Sequence, residues 1–209
     1  MAKTKVRFVC GEKETAEFRS WSKWLKKAGV LFDRFIDCVD DDDPFAYNET
    51  ASVAFLASAA ALAGHSALAE YSVTKIEAAK ADRRKLTGRE RHGRGDLWLH
   101  ADGEFWAFEF KQRNSVGLSR ANGRLGSLFK EAENCATKVN RKQEGIPVAG
   151  LIVSLFFIRD AKHQTEPDSV AEAAAFEIER FARKVNLFCW KIEPPEGRRP
   201  TYLLFKALH

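Results

Sequence analysis

Asp96, Glu109 and Lys111 are the residues of this chain whose types and spacing best suit chemistry. Two carboxylates and an ammonium brought to one place can hold a hard divalent cation and act on a phosphate. Asp102-Gly103 divides them, and this pair favours a two-residue hairpin because both central positions of a type I′ turn need positive φ. The flanking segments, 93–100 and 105–112, then read as antiparallel strands. Side chains alternate along a strand, so Trp106, Phe108 and Phe110 share one face and Ala107, Glu109 and Lys111 the other. An aromatic face that dense must be buried, which fixes the register. Asp96, at the start of the partner strand, reaches the same place as Glu109.

The Asp … Glu-x-Lys arrangement resembles the PD-(D/E)xK nuclease superfamily, which includes restriction endonucleases and repair nucleases. The resemblance covers roughly residues 50–158 and lies in motif order and element order. Asp96 matches the family's first acidic residue, with Gly95 in place of the usual neighbouring proline, and Arg94-Gly95-Asp96 fits its Gly-Arg-x-Asp variant. Glu109 matches the second acidic residue and Lys111 the lysine. The resemblance implies Mg2+, with Mn2+ able to replace it, held by Asp96, Glu109 and the main-chain carbonyl of Phe110. It implies that Lys111 orients the attacking water and that Gln112 supports the site. The family often adds a glutamate from its first helix. Glu70 is the choice here, Glu77 the second candidate, and Glu49 reads as the beginning of that helix.

The surrounding pattern supplies elements that could position these groups. Phe18, Trp21, Leu25, Ala28, Phe32, Phe35 and Val39 recur at helical spacing, with a break at Gly29 one option. Asp40-Asp41-Asp42-Asp43-Pro44 reads as a solvated turn. An alanine-rich helix is expected from about Thr50 to Glu70, then a strand over Tyr71–Ile76 unless the helix continues through it. After the hairpin come a helix over Leu125–Glu144 and a buried strand over Val148–Ile158. Pro167-Asp168-Ser169 caps a helix reaching about Val185, and Leu187–Ile192 and Thr201–Phe205 close the chain as strands. The expectation is therefore one α/β domain with a restriction-endonuclease-like αβββαβ core. A mixed central sheet is flanked by helices, preceded by a helical region (1–49) and followed by a helix and strands (159–209).

Composition is compatible with that reading. A chain of 209 residues with 45% hydrophobic content can bury a full core in one domain. The richest apolar run, Ala51 to Ala69, carries Ser58, Gly64, His65 and Ser66 and suits a packed helix better than a membrane span. Cys10, Cys38, Cys135 and Cys189 show no zinc spacing and read as buried reduced thiols. With no signal-like start, the expected location is the cytoplasm. Net charge is +5. Lys75, Lys80, Arg83, Arg84, Lys85, Arg89, Arg91 and Arg94 crowd the approach to Asp96, either as a solvated loop or as phosphate contacts. His100 shares the Asp96 face, whereas His65 reads as a core histidine. The expected function is a metal-dependent nuclease acting on nucleic acid, DNA before RNA. Specificity would come from loops, the N-terminal region or a homodimer. The alternative is a nuclease-like module that binds nucleic acid or protein without cutting.

Overall fold

The computed structural model describes residues 3–38, 43–77, 89–114, 121–155, 168–195 and 198–209. Its elements run β1 (Lys5–Cys10), α1 (Ala16–Cys38), α2 (Glu49–Leu62), β2 (Ser66–Glu77), β3 (Arg89–Ala101) and β4 (Glu104–Asn114). They continue with α3 (Ala121–Ala136), α4 (Arg141–Glu144), β5 (Ile146–Ser154), α5 (Asp168–Lys184), β6 (Phe188–Glu193) and β7 (Thr201–Ala207). All the strands join one seven-stranded sheet of order β1-β6-β7-β5-β4-β3-β2. The sheet is mixed: β4 and β5 pair in parallel, and the other pairs are antiparallel. Among the described residues no helix is long and apolar enough to cross a membrane.

Alternation along the central strands sorts the core into two layers. Trp106, Phe108 and Phe110 of β4, Val148 and Ile152 of β5 and Leu203 and Phe205 of β7 face α1 and α2. Ala149, Leu151 and Val153 of β5, with Tyr202 and Leu204 of β7, face α3 and α5. Trp21 of α1 lies tilted against Phe108 at 5.5 Å between centroids and Trp24 edge-on at 5.4 Å, and the aromatic face of β4 is fully covered. Glu109 and Lys111 accordingly leave β4 on the opposite side. The Asp102-Gly103 turn forms as its residues require, with φ of 50° and 86°.

Several expected boundaries move, each for a local reason. The N-terminal region is not wholly helical, because Lys5–Cys10 forms an edge strand paired with β6. Helix α1 runs unbroken through Gly29, whose missing side chain makes room for Val6 of β1; a Cβ there would lie 2.7 Å from Val6 Cγ2. Helix α2 stops at Leu62, where Gly64 turns with φ +82°, and Ser66–Glu70 joins β2 by pairing with β3. Helix α3 ends at Ala136 instead of reaching Glu144, because Lys138 to Asn140 pair with the edge of β2. Of the aspartate run, Asp43 is buried, its carboxylate accepting from Phe45 N–H at 2.7 Å, so it is no solvated turn residue; Asp40 to Asp42 lie outside the described residues. All four cysteines are free, but only Cys189 is buried.

Gly150 links this packing to the residues around the hairpin. A Cβ at that position would stand 2.6 Å from Phe110 Cδ1 and Cε1 in the middle of the sheet. Gly150→Ala is expected to destabilise the protein by about 1–3 kcal/mol through overpacking. Urea unfolding checks it, and an unchanged midpoint would show that Phe110 has room to move.

Candidate active site at a fork in the sheet

The central sheet divides next to Asp96. The β3–β4 ladder runs from Ala101↔Glu104 only to Leu97↔Phe108. Beyond that point β4 continues with β5 as far as Asn114↔Ser154, and β3 continues with β2 as far as Glu77↔Arg89. In an uninterrupted ladder Gly95 would stand opposite Phe110 and satisfy its main-chain groups. Here side chains do so instead. Phe110 N–H donates to Asp96 Oδ2 at 2.6 Å, and Phe110 O accepts from Lys111 Nζ at 2.6 Å. Buried main-chain groups must find partners, so the fork itself dictates an acceptor and a cation at this spot.

The β2–β3 pair bends as it leaves β4. Glu70 has φ 53°, a left-handed value that costs a side-chain-bearing residue about 1–2 kcal/mol. Past the bend the arm folds over the outer side of β4, where Val73 packs with Ala107 and Val139 beside Tyr71. The Tyr71 ring lies against Gly95, where a Cβ would come within 2.6 Å of it. That contact accounts for glycine where the resembled family carries proline. The arm also buries Glu109, which is 4% exposed.

Asp96 and Glu109 stand at facing positions of the forked strands, and burial raises the pKa of both carboxyls. The Phe110 N–H and Lys111 work against that rise at Asp96, and Lys75 works against it at Glu109. Lys75 Nζ is 2.8 Å from Glu109 Oε1. The contact is a charge-assisted one between two largely buried groups. Lys111 Nζ also approaches Glu49 Oε1 at 3.5 Å. Burial lowers the Lys111 pKa, but Glu49 and Asp96 outweigh it and leave it above the usual lysine value. The Glu49 carboxyl is itself raised by burial, with Lys111 opposing.

Other expected site residues are placed differently. Glu70 does not end the alanine-rich helix; it sits in β2, across from Asp96, where it ion-pairs with Arg94 and accepts from Thr50 Oγ1 at 3.3 Å. It therefore reaches the site region by strand pairing rather than from a helix end. Glu77 lies seven positions further along β2, and its side chain is outside the described residues. Gln112 turns to the opposite side, where its amide donates to Phe45 O at 2.9 Å and Tyr47 O at 3.2 Å. It holds the loop that leads into Glu49, which makes it a positioning residue. His100 stacks on Phe105 at 4.4 Å, toward the hairpin turn and away from Asp96. In the basic run, Lys75 and Arg94 are engaged by carboxylates, while Lys80, Arg83, Arg84 and Lys85 lie outside the described residues.

Sequence reasoning set Lys75 in the basic run before Asp96 and Glu49 at a helix start, but did not pair Lys75 with Glu109 or Glu49 with Lys111. Glu49 is the first residue of α2, after the Asn48 cap. Only the direction of α2 across the sheet shows that its start, and not its end, meets Lys111.

Among the described residues no three histidine, cysteine or acidic side chains form a ready-made metal cage. Mg2+ does not demand one, because it keeps several waters and accepts one or two carboxylates. The donor set fits: Asp96, Glu109 and the Phe110 carbonyl are all hard oxygen donors, and Glu109 is buried with its Oε1 held by the Lys75 ammonium alone among the described residues.

The raised pKa of Asp96 carries a sign for stability. Its burial favours the folded state below the unfolded pKa, near 3.9, and that contribution is lost as pH rises through the higher folded value. At neutral pH the buried charge is a net burden. Asp96→Asn, which keeps an acceptor for Phe110 N–H, is expected to unfold at a higher temperature than the parent at neutral pH. The difference should shrink on acidification toward about pH 4. A lower melting point at neutral pH would show that Asp96 is held chiefly by its cationic neighbours.

Compared with known proteins, the chain matches no family model, no curated protein and no solved structure, so the functional reading rests on the residues themselves.

Proposed function

We propose that this protein is a divalent-metal-dependent nuclease with a restriction-endonuclease-like core, hydrolysing phosphodiester bonds in DNA. The observation that carries it is the fork. It gathers Asp96, Glu109, the Phe110 carbonyl and Lys111 at one point of a core whose elements run helix, three strands, helix, strand from α2 to β5 apart from the short α4. This is the element order that the resemblance implies, with the acidic residue on the second strand and Glu-x-Lys on the third.

Asp96, Glu109 and the Phe110 carbonyl would hold Mg2+, with Mn2+ an acceptable replacement. When bound, the ion supplies a more acidic water and neutralises charge on the phosphate. The remaining work belongs to the chain. Lys111 is kept protonated by Glu49 and Asp96, and as a cation it orients water and stabilises charge gathering on the phosphate oxygens. Glu49 fixes the Lys111 ammonium, and Gln112 fixes the loop that delivers Glu49. The covering arm keeps bulk water from Glu109, which strengthens every charge interaction within the site.

Incubation with supercoiled, linear and single-stranded DNA, with and without Mg2+, is the direct test. Asp96→Ala, Glu109→Ala and Lys111→Ala are each expected to lower cleavage by about a hundredfold or more while the fold persists. Unchanged cleavage in all three would end the nuclease reading. Metal-dependent DNA binding by the parent without any cutting would favour the inactive-module alternative.

Glu49 gives the pH dependence a definite direction. Its carboxylate raises the Lys111 pKa, so Glu49→Gln should lower that pKa and move the alkaline limb of the pH–rate profile to lower pH. A limb that stays in place would show that Lys111 does not govern it.

A further inference from the structure

Lys75 has no part in the chemistry assigned above, yet it makes the closest charged contact to Glu109. It belongs to the covering arm, at the step of β2 that bridges to Val139. Its ammonium stands 2.8 Å from Glu109 Oε1, and both side chains are largely withdrawn from solvent. The arm is latched on either side of this contact. Ile76 N–H donates to Lys138 O at 2.6 Å, Asn140 N–H donates to Thr74 O at 2.9 Å, and Thr74 N–H donates to Glu144 Oε1 at 3.1 Å. The Asn140 side-chain amide adds a bond to Glu90 Oε1 at 3.1 Å. A carboxylate this buried needs a positive partner, and the fold supplies one from a neighbouring strand.

We propose that Lys75 is the resident counter-ion of Glu109 and competes with the divalent metal for that carboxylate, so that metal binding and seating of the β2–β3 arm oppose each other. This rests on the metal reading of Asp96 and Glu109. A dication at Glu109 Oε1 would stand close to the Lys75 ammonium, and the two repel strongly at such short range. One must leave when the other arrives, and Lys75, on a flexible four-carbon stem, is the group able to move. The dication would bring two charges as Lys75 withdraws one, so Glu109 is never left without a positive partner. Metal affinity would be set below what the oxygen donors alone allow, because each binding event must also displace Lys75.

Calorimetry of Mn2+ binding to the full chain, compared across the parent, Lys75→Met and Lys75→Arg, tests this. Lys75→Met is expected to bind Mn2+ about fivefold more tightly or better, while Lys75→Arg stays close to the parent. In the parent, saturating Mn2+ should speed hydrogen exchange at the Ile76 and Asn140 amides, which report the latch. Equal or weaker Mn2+ binding by Lys75→Met, with binding by the parent intact and abolished in Asp96→Ala, would overturn this inference alone. Absence of Mn2+ binding in every protein would overturn it together with the metal reading. If Lys75→Met fails to fold without metal, recovery of its circular dichroism on adding Mn2+ supports the proposal, since the ion replaces the missing counter-ion. No recovery overturns it.

Discussion

The interruption of the β3–β4 ladder after Leu97↔Phe108 is the constraint on which the rest of this molecule depends. One step further on, Phe110 presents an amide and a carbonyl that no strand receives, in a part of the sheet closed to water. Leaving either unpaired costs about 1–3 kcal/mol. The structure answers with a carboxylate on one side and an ammonium on the other. The same two side chains that repair the backbone therefore place a carboxylate next to a fixed cation. Secondary structure and chemistry are here a single solution to one hydrogen-bonding problem.

That solution draws in further charge. Asp96, Glu109, Glu49 and Glu70 lie within the reach of Lys75, Lys111 and Arg94. Among the described residues these four carboxylates face these three cations, one negative charge in excess, and burial raises Asp96, Glu109 and Glu49 together. Such an arrangement is weak evidence for stability, since well-packed apolar groups would often serve a fold better. It is better evidence for a site, because carboxylates whose pKa values are all raised by burial are gathered here at one place, as they are at many ion-binding sites. The surplus is of the sign that a divalent cation would correct.

Much of this was legible in the sequence where period and turn chemistry decide the outcome. Asp102-Gly103 and the Trp106, Phe108, Phe110 alternation set the hairpin, the buried face and the side from which Glu109 and Lys111 emerge. Pairing was less legible. Ser66–Glu70 carries helix-favouring alanines and still became strand, because hydrogen bonds to β3 outweigh propensities of a few tenths of a kcal/mol. The N-terminal strand escaped notice because only six residues carry its alternation, and its partners in β6 lie 179 to 188 positions further along the chain. Glu49 and Lys75 could not be found by spacing at all. Each reaches the site through the direction in which its element crosses the sheet, which is a tertiary fact.

Gly95 and Tyr71 show how one close contact can fix the residue type next to Asp96. A proline at position 95 would carry a ring into the space that the Tyr71 ring fills. The tyrosine is there because β2 stays paired with β3 beyond the fork, and that pairing lets the arm swing over Glu109. With Tyr71 half-buried, its phenol is held protonated by desolvation and by Glu144, Glu109 and Asp96 around it. It adds bulk to the arm without adding another negative charge to the cluster. The glycine next to Asp96 thus follows from the same bend that hides Glu109 and brings Lys75 within reach of it.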